Sequence, residues 1–267
     1  MLSNASRYLT YLAAALYAVL GVWLVLQPAQ IAPVFAWTVS PFVTMTIGGW
    51  CLGNAMNAFL TARRWSWALV SGSLVYFWSF GLLELAVVFA FKDKLVLAHP
   101  SAWLYMAALV VNVLAAVLGI REVLRTKPAS QLKAATRNQT MLVAGFVAFV
   151  GFLGLYGLFA SQGAVGTGGG IFPEILSPFT LRSFGAFYLS IALGTVPLAL
   201  YRNFTATLHY GFAMYGFIAF ITLITLLNLG LFDFAAKPGG LLYLGAYVLV
   251  GLLTLDLLRR EGTAAAG

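Results

Sequence analysis

The sequence predicts an all-α, polytopic membrane protein with eight transmembrane helices, arranged as two parallel four-helix repeats. The first observation behind this prediction is composition: 62% of the 267 residues are hydrophobic and 8% are charged, whereas a soluble domain carries about 25% charged residues. The second is a series of eight apolar runs of about 20 residues, the length that crosses a bilayer as a helix. The third is an internal repeat.

The eight apolar runs follow one another through short connections. They cover residues 8–26, 42–60, 68–91, 102–120, 141–160, 181–200, 211–232 and 240–258. Backbone groups in lipid must be hydrogen-bonded internally, so these continuous runs indicate helices, and the longest connections, 121–140 and 161–180, leave no room for a soluble domain. We interpret the first run as a retained helix and not as a signal peptide, because it is long for a signal core and the repeat needs it.

Two stretches of the chain read nearly the same. Residues 35–48 are FAWTVSPFVTMTIG and residues 172–185 are FPEILSPFTLRSFG, and over the 28 positions from residue 35 to 62 eight are identical to their partners at an offset of 137. We therefore predict a tandem duplication, with a first four-helix repeat at 1–126, a basic cytoplasmic linker at 127–140 and a second repeat at 141–267. Because four is even, both repeats share one orientation, and their pseudo-twofold axis runs along the membrane normal.

The S-P-F motif shared by the repeats has the chemistry of a helix start. Proline in the first turn needs no hydrogen-bond donor, and the serine before it is a favoured N-cap. The motif therefore predicts that the second helix begins near Pro41 and the sixth near Pro178. The apolar segments before it, residues 29–37 and 171–176, are expected to form short helical turns in the outer interface.

The positions of lysine and arginine predict the orientation of the chain. Eleven of the fifteen basic residues lie at the termini or in even-numbered connections, whereas three, Lys92, Lys94 and Lys237, lie in odd-numbered ones. Cytoplasmic loops carry the excess of positive charge, so both termini are expected in the cytoplasm. The net charge of +8 is spread between apolar runs at a membrane surface, which argues against a nucleic-acid partner.

Three local features of the repeat are shared with a known group of proteins. A Pro-containing loop (Gln27, Pro28) follows the first helix, the sixth helix opens with an R-x-x-G-A pattern (LRSFGAF, residues 181–187), and the fourth helix exits into arginines. With these features each repeat resembles the DoxX-like four-helix bacterial membrane proteins. The first repeat departs from the pattern, with Met45 where the second has Arg182. The resemblance implies a compact four-helix unit in a bacterial plasma membrane, and it assigns no reaction and no functional residue.

Glu84, in the third helix, is the strongest candidate for a polar site, because an ionisable residue at membrane depth is costly and needs a partner. At 1.5 Å per residue, Glu84 lies about 10 Å below the outer end of its helix and Arg182 lies about 5 Å below the start of the sixth. We therefore predict a salt bridge between Glu84 and Arg182 across the two repeats. The alternative is a structural Glu84, hydrogen-bonded or protonated, without a role in transport.

Three asparagines complete the predicted polar site: Asn54 and Asn57 in the second helix and Asn112 in the fourth. Hydrogen bonds between helices explain such residues, and a polar ligand site is the alternative interpretation. Asn54 and Asn57 align with Ile191 and Gly194 of the second repeat, so any site is expected in the first half of the chain.

Small residues four positions apart form a packing stripe on the second and sixth helices. Gly49, Gly53 and Asn57 lie on one face of the second helix. The equivalent face of the sixth carries Ala186, Ser190 and Gly194. Association in lipid relies on close packing, which small residues permit. We predict that the second and sixth helices are nearest neighbours; the alternative is that each stripe packs on an equivalent helix within its own repeat.

Several function classes lack the residues that they need. A single cysteine, Cys51, excludes a disulfide framework or a multi-cysteine metal centre within one chain, and His99 and His209 are predicted on opposite sides of the membrane. No catalytic set shares one depth, so an enzyme is least favoured, and no catalytic or metal-binding residue is assigned. No cofactor is evident, although the deeper aromatic residues leave open a bound lipid, quinone or carotenoid beside plain packing.

Two functions remain in contention. The first is a membrane accessory subunit that docks on a larger membrane complex or on itself, or that binds lipid or another apolar small molecule. The alternative is a secondary transporter or small-solute channel, with a site near the outer side of the repeat interface. A polar cavity containing Glu84 at that interface would favour transport, whereas a dry interface with a broad apolar flank would favour the accessory subunit.

Overall fold

The computed structural model of the protein describes residues 2–127, 134–161 and 172–264. These residues form helices joined by short turns, and their one β pairing is an isolated bridge between Ala134 and Asn203. The eight long helices, numbered α1 to α8 in chain order, are Asn4–Leu26, Pro41–Arg63, Trp67–Ala90, Pro100–Thr126, Arg137–Phe159, Pro178–Leu193, Phe204–Leu227 and Gly239–Ala264. The predicted all-α class is confirmed for this part of the chain.

Seven helical segments of the described ranges are long and apolar enough to cross a membrane, so the chain is a multi-pass membrane protein. Six of them lie in α1, α3, α4, α5, α7 and α8, and the seventh is α6 together with the short helix Val196–Tyr201 that continues it. The remaining helix, α2, has a sufficient length of 23 residues but a more polar composition. Its polar side chains are buried inside the bundle: Thr44, Thr46, Asn54, Asn57 and Thr61. A helix enclosed by other helices can carry polar residues that a lipid-facing helix cannot. These residues lower the mean hydropathy of α2 below the value expected of a membrane span.

Both S-P-F motifs form the predicted helix starts. Pro41 and Pro178 are the first residues of α2 and α6. The hydroxyl groups of Ser40 and Ser177 accept hydrogen bonds from backbone N–H groups three residues further on, at 3.1 and 3.2 Å. The local chemistry of the motif is thus sufficient to place these two helix boundaries.

The segments around the motifs agree with the sequence prediction only in part. The one before α2 is helical as expected, with turns at Pro28–Ile31 and Ala32–Val34. The described part of the one before α6, residues 172–176, contains no helix. Residue 171 and residues 128–133 of the predicted linker lie outside the described ranges.

Hydrogen bonds between helices define two ends of the bundle. At one end, here called the Arg64 end, Arg7 near the start of α1 donates from Nε to a backbone carbonyl in the last turn of α2 (2.8 Å). At the other, the Pro41 end, the indole of Trp37 donates to the hydroxyl of Thr180 in α6 (2.9 Å). The two aligned segments that surround the S-P-F motifs therefore meet at the Pro41 end.

Glycines allow close helix crossings in both predicted repeats. A Cβ atom on Gly21 of α1 would lie 2.8 Å from the carbonyl oxygen of Gly48 in α2. A Cβ atom on Gly157 of α5 would likewise lie 2.8 Å from the Cα of Gly185 in α6. Gly48 and Gly185 are partners in the sequence alignment, so the α1–α2 and α5–α6 crossings are built in the same way.

The stripe on α2 packs against α7, which neither predicted arrangement foresaw. A Cβ atom on Gly53 would lie 2.4 Å from the ring of Phe217, and one on Gly49 would lie 2.7 Å from Ile224. The prediction that α2 and α6 are nearest neighbours is therefore wrong, and so is the alternative of packing within one repeat, since α7 belongs to the other one.

The stripe on α6 is buried as well. Ala186 and Ser190 are inaccessible, and a Cβ atom on Gly72 of α3 would lie 2.9 Å from the carbonyl oxygen of Gly194. Each stripe thus lies at a contact with the other predicted repeat: α2 with α7, and α6 with α3. The expectation that small residues mark close packing is confirmed, although the partner helices were not foreseen.

The helices α5 and α8 are the least buried. In their most apolar stretches 17% and 12% of the residues are buried, against 61% along α6 and 56% along α3. We call their exposed apolar surface the open flank; it includes Phe149, Phe152, Leu155, Val248, Leu249 and Leu252. The core of the bundle therefore lies among α2, α3, α6 and α7.

Candidate functional site

Glu84 lies in α3, about two turns from the Pro41 end, and only 2% of its surface is exposed. Its carboxylate oxygen Oε1 accepts hydrogen bonds from the hydroxyl groups of Tyr105 in α4 (2.6 Å) and Ser183 in α6 (2.8 Å). The other oxygen, Oε2, is buried without a hydrogen-bond partner. The site therefore joins the first predicted repeat, which supplies Glu84 and Tyr105, to the second, which supplies Ser183.

A small closed cavity adjoins this carboxyl group. Its volume is about 20 Å³, which is enough for about one water molecule. Aromatic side chains form much of the wall and polar groups a minority; the lining residues are Tyr17, Trp37, Ile47, Trp50, Cys51, Asn54, Phe80, Glu84, Tyr105, Ser183 and Phe184. A largely apolar wall with a few converging polar groups is typical of a ligand site, but a cavity of this volume holds nothing larger than water.

The predicted salt bridge between Arg182 and Glu84 is wrong. The Nη1 atom of Arg182 donates to the carbonyl oxygens of Gly157 (2.9 Å) and Ala160 (2.8 Å) at the end of α5. The last carbonyls of a helix have no partner within it, and a cation there also complements the helix dipole. No lysine or arginine of the described ranges forms an ion pair with Glu84.

Two of the predicted asparagines have partners near the site. The side chain of Asn54 lines the cavity and accepts a hydrogen bond from the hydroxyl of Tyr76 in α3 (2.9 Å). Asn112 donates to the hydroxyl of Tyr17 in α1 (3.3 Å), while its own Oδ1 is buried without a partner. Asn54 therefore belongs to the site itself, and Asn112 positions Tyr17 in the cavity wall.

The third predicted asparagine, Asn57, is different. Its side chain is fully buried, and neither its oxygen nor its nitrogen has a hydrogen-bond partner. The hydroxyls of Thr61 in α2 and Ser73 in α3 are buried and unpartnered in the same way. Because nearly all buried polar groups in proteins are hydrogen-bonded, these three side chains, which lie between the level of the site and the Arg64 end, require an explanation.

These polar side chains lie on regular helix faces. Asn54, Asn57 and Thr61 are three and four residues apart, so they share one face of α2, and Ser73 lies about three turns below Glu84 on one face of α3. The bond between Tyr76 and Asn54 connects the two helices at the level between Glu84 and Asn57. Polar positions therefore recur on α2 and α3 from the level of the cavity toward the Arg64 end.

Sequence reasoning missed both hydroxyl groups that hold Glu84. Tyr105 lies five residues into α4, about 8 Å from its start at the Pro41 end, so a count of depth could have matched it to Glu84. Ser183 follows Arg182 directly, about 100° further round the helix. Only the rotation of α6 about its axis decides which of the two faces Glu84, and the sequence pattern does not determine that rotation.

Neither the metal-binding side chains of the described ranges nor similarity to known proteins indicates a function for this site. Among the described residues, no three side chains of His, Cys, Asp or Glu are grouped so that they could hold a metal ion. The chain matches no protein-family model, no curated protein and no solved structure. The geometry around Glu84 is therefore the basis for assigning a function.

Proposed function

We propose that the protein is a secondary transporter for a small solute or ion, with its binding site at Glu84. The observation that carries this proposal is a buried carboxyl group, held by hydroxyls from both predicted repeats, with one oxygen unpartnered in a site that has an aromatic-lined cavity. Ionisable groups inside membrane proteins mark ion and substrate pathways by default. Transporters built from repeats place their sites at the repeat interface.

The proposed architecture is eight transmembrane helices in two parallel four-helix repeats, with α2 as the eighth span. Two equivalences support it: α1–α2 and α5–α6 cross at corresponding glycines, and α2 packs on α7 as α6 packs on α3. The charge distribution supports cytoplasmic termini. The resemblance of each repeat to a DoxX-like unit supports a bacterial plasma membrane.

The interruption of α6 is a second feature that supports transport. The helix breaks at Gly194 and Thr195 before it continues as a short helix. The hydroxyl of Tyr210 in α7 donates to the carbonyl of Ile191 (2.9 Å), which the break leaves without its helical donor. Interrupted helices recur at the sites of transporters. The break gives α6 a hinge between Ser183 and the Arg64 end.

An accessory subunit remains the second candidate, because two observations favour it: the cavity at Glu84 is largely apolar and has room for about one water molecule, and α5 and α8 form the open flank. The buried carboxyl group with an unpartnered oxygen is the observation that favours transport over this role. Two long helices with few buried residues provide the surface through which a membrane protein could dock on another subunit or on a second copy, or bind lipid or a flat apolar molecule. Such a role does not require Glu84 to be reached from water. The two proposals therefore differ in whether the cavity opens.

Cys51 provides the test, because it is the only cysteine of the chain and it lines the cavity. A small charged thiol reagent that does not cross membranes is applied to sealed vesicles, from one side at a time, and modification of Cys51 is measured by mass spectrometry. A transporter opens its site to each side in turn, so we expect Cys51 to be modified from both sides. The Cys51→Ala variant is the control.

The same measurement separates the two candidates. If Cys51 reacts only after the protein has been unfolded by denaturant, the cavity does not open, and the transporter proposal fails in favour of the accessory subunit. A membrane-permeant reagent of similar size is applied in parallel. If it modifies Cys51 while the impermeant reagent does not, the thiol is reached through the lipid and not from water. If neither reagent modifies Cys51, the cavity does not open.

A further inference from the structure

We infer that the ion handled at Glu84 is a proton, which reaches the carboxyl group from the Arg64 end along a polar path between α2 and α3. The inference rests on the proposed transport function and names the species that moves. It also assigns a role to the buried asparagine, threonine and serine side chains that have no hydrogen-bond partner.

The hydrogen bonds of Glu84 match a neutral carboxylic acid. Both hydroxyl donors, from Tyr105 and Ser183, go to Oε1, as they would to a carbonyl oxygen, and Oε2 receives none. A buried carboxylate without a cation is costly, because desolvation is not repaid by an ion pair. A proton on Oε2 removes that cost without any movement of the chain.

Within the described ranges, no neighbouring group supplies the missing positive charge. The polar groups that face the cavity besides Glu84 are three hydroxyls, a thiol, an amide and two indoles. They belong to Tyr17, Tyr105, Ser183, Cys51, Asn54, Trp37 and Trp50. Arg182, next to Ser183, is held by the carbonyl groups at the end of α5. All the facing groups are neutral hydrogen-bonding groups, so none of them neutralises a carboxylate at Glu84, whereas a proton on Oε2 does.

The path toward the Arg64 end is built from unpartnered polar atoms. Below the cavity follow Asn57 and Thr61 on α2 and Ser73 on α3, each with a buried side-chain atom that lacks a hydrogen-bond partner. His209, at the start of α7 near the same end, also has both ring nitrogens unpartnered. Groups of this kind bind water in protein interiors. Hydroxyls and bound water pass a proton on, and Asn57 orients the water between them.

The proton transfer balances without a further reactant. Water at the Arg64 end gives up a proton, and the shift of hydrogen bonds along the path delivers one proton to Oε2 of Glu84. Release toward the Pro41 end restores the carboxylate, which Tyr105 and Ser183 stabilise through their hydrogen bonds. Each hydroxyl that takes part in the relay accepts one proton and gives up its own, and it then rotates back to its starting orientation. One proton crosses in each cycle, with no net change in the O–H bonds of the chain.

The test uses the full-length protein in liposomes that contain a pH-sensitive dye, with a potassium diffusion potential to drive protons inward. We expect proton uptake with the wild type, and loss of uptake to the level of empty liposomes with Glu84→Gln and with Asn57→Leu. Glu122→Gln is the matched control, since Glu122 binds Ser6 at the Arg64 end (3.1 Å) and lies outside the path; it should keep the wild-type rate.

A second measurement does not depend on transport. Dicyclohexylcarbodiimide reacts with protonated carboxyl groups in apolar surroundings, so we expect Glu84 to be labelled at neutral pH and the labelling to be lost as the pH is raised. The inference is overturned if the wild type takes up no protons, if Glu84→Gln or Asn57→Leu transports at the wild-type rate, or if Glu84 is never labelled. These failures leave the transporter proposal standing when Cys51 is modified from both sides. Proton uptake with an unreactive Cys51 would instead refute the opening of the cavity to solutes and leave the proton path standing.

Discussion

At the scale of residues, Glu84 shows what a sequence can and cannot predict. Its depth and its need for partners follow from the cost of an ionisable group in lipid, and both were predicted. The identity of the partners was not, because Arg182 and Ser183 are neighbours in sequence but point about 100° apart. The unpartnered carbonyl groups at the end of α5 bind the arginine and leave the serine to face Glu84.

The two asparagines of α2 give a matched pair of variants. Asn54 accepts a hydrogen bond from Tyr76, so Asn54→Leu leaves a buried hydroxyl unpaired and should lower the free energy of unfolding by about 1–3 kcal/mol. Asn57 has no protein partner, so Asn57→Leu should leave stability unchanged or raise it. Thermal unfolding in detergent measures both. Equal destabilisation by the two variants would show that Asn57 has a structural partner, which the account denies.

At the scale of elements, the helix boundaries were more predictable than the helix pairs. The S-P-F motif specifies its own cap, so the starts of α2 and α6 follow from a few adjacent residues. Which helix receives a small-residue stripe depends on the arrangement of the whole bundle, and the predicted α2–α6 pair was wrong for that reason. A search by mean hydropathy also does not identify α2 as a membrane span, because this enclosed helix carries buried polar residues.

Two glycines test the corrected pairing of the helices. A Cβ atom on Gly53 would lie 2.4 Å from the ring of Phe217, whereas one on Gly245, in α8, would meet nothing within 4 Å. Gly53→Leu overpacks the α2–α7 contact and should cost about 1–3 kcal/mol, while Gly245→Leu should cost much less. The midpoint of thermal unfolding reports the difference, and equal midpoints would refute the α2–α7 contact.

At the scale of the whole molecule, the two halves are alike in outline and unlike in chemistry. Glycines at corresponding positions allow close packing of α1 on α2 and of α5 on α6. Only the first half supplies a carboxyl group and the asparagines around it, as the alignment of Asn54 with Ile191 and of Asn57 with Gly194 had indicated. The second half contributes a hydroxyl group and the interrupted helix α6. The proposed duplication of a four-helix unit, followed by divergence of its second helix, would account for one site shared by both halves.

The central claim is that Glu84 and Ser183 act as one unit across the two halves, and a double-mutant cycle tests it most directly. The rate of Cys51 modification from each side is measured for the wild type, Glu84→Gln, Ser183→Ala and the double variant. Residues that share a hydrogen bond give non-additive effects, whereas independent sites add. We expect the double variant to show nearly the same rate of Cys51 modification as Glu84→Gln alone. Fully additive effects on the rate would contradict it.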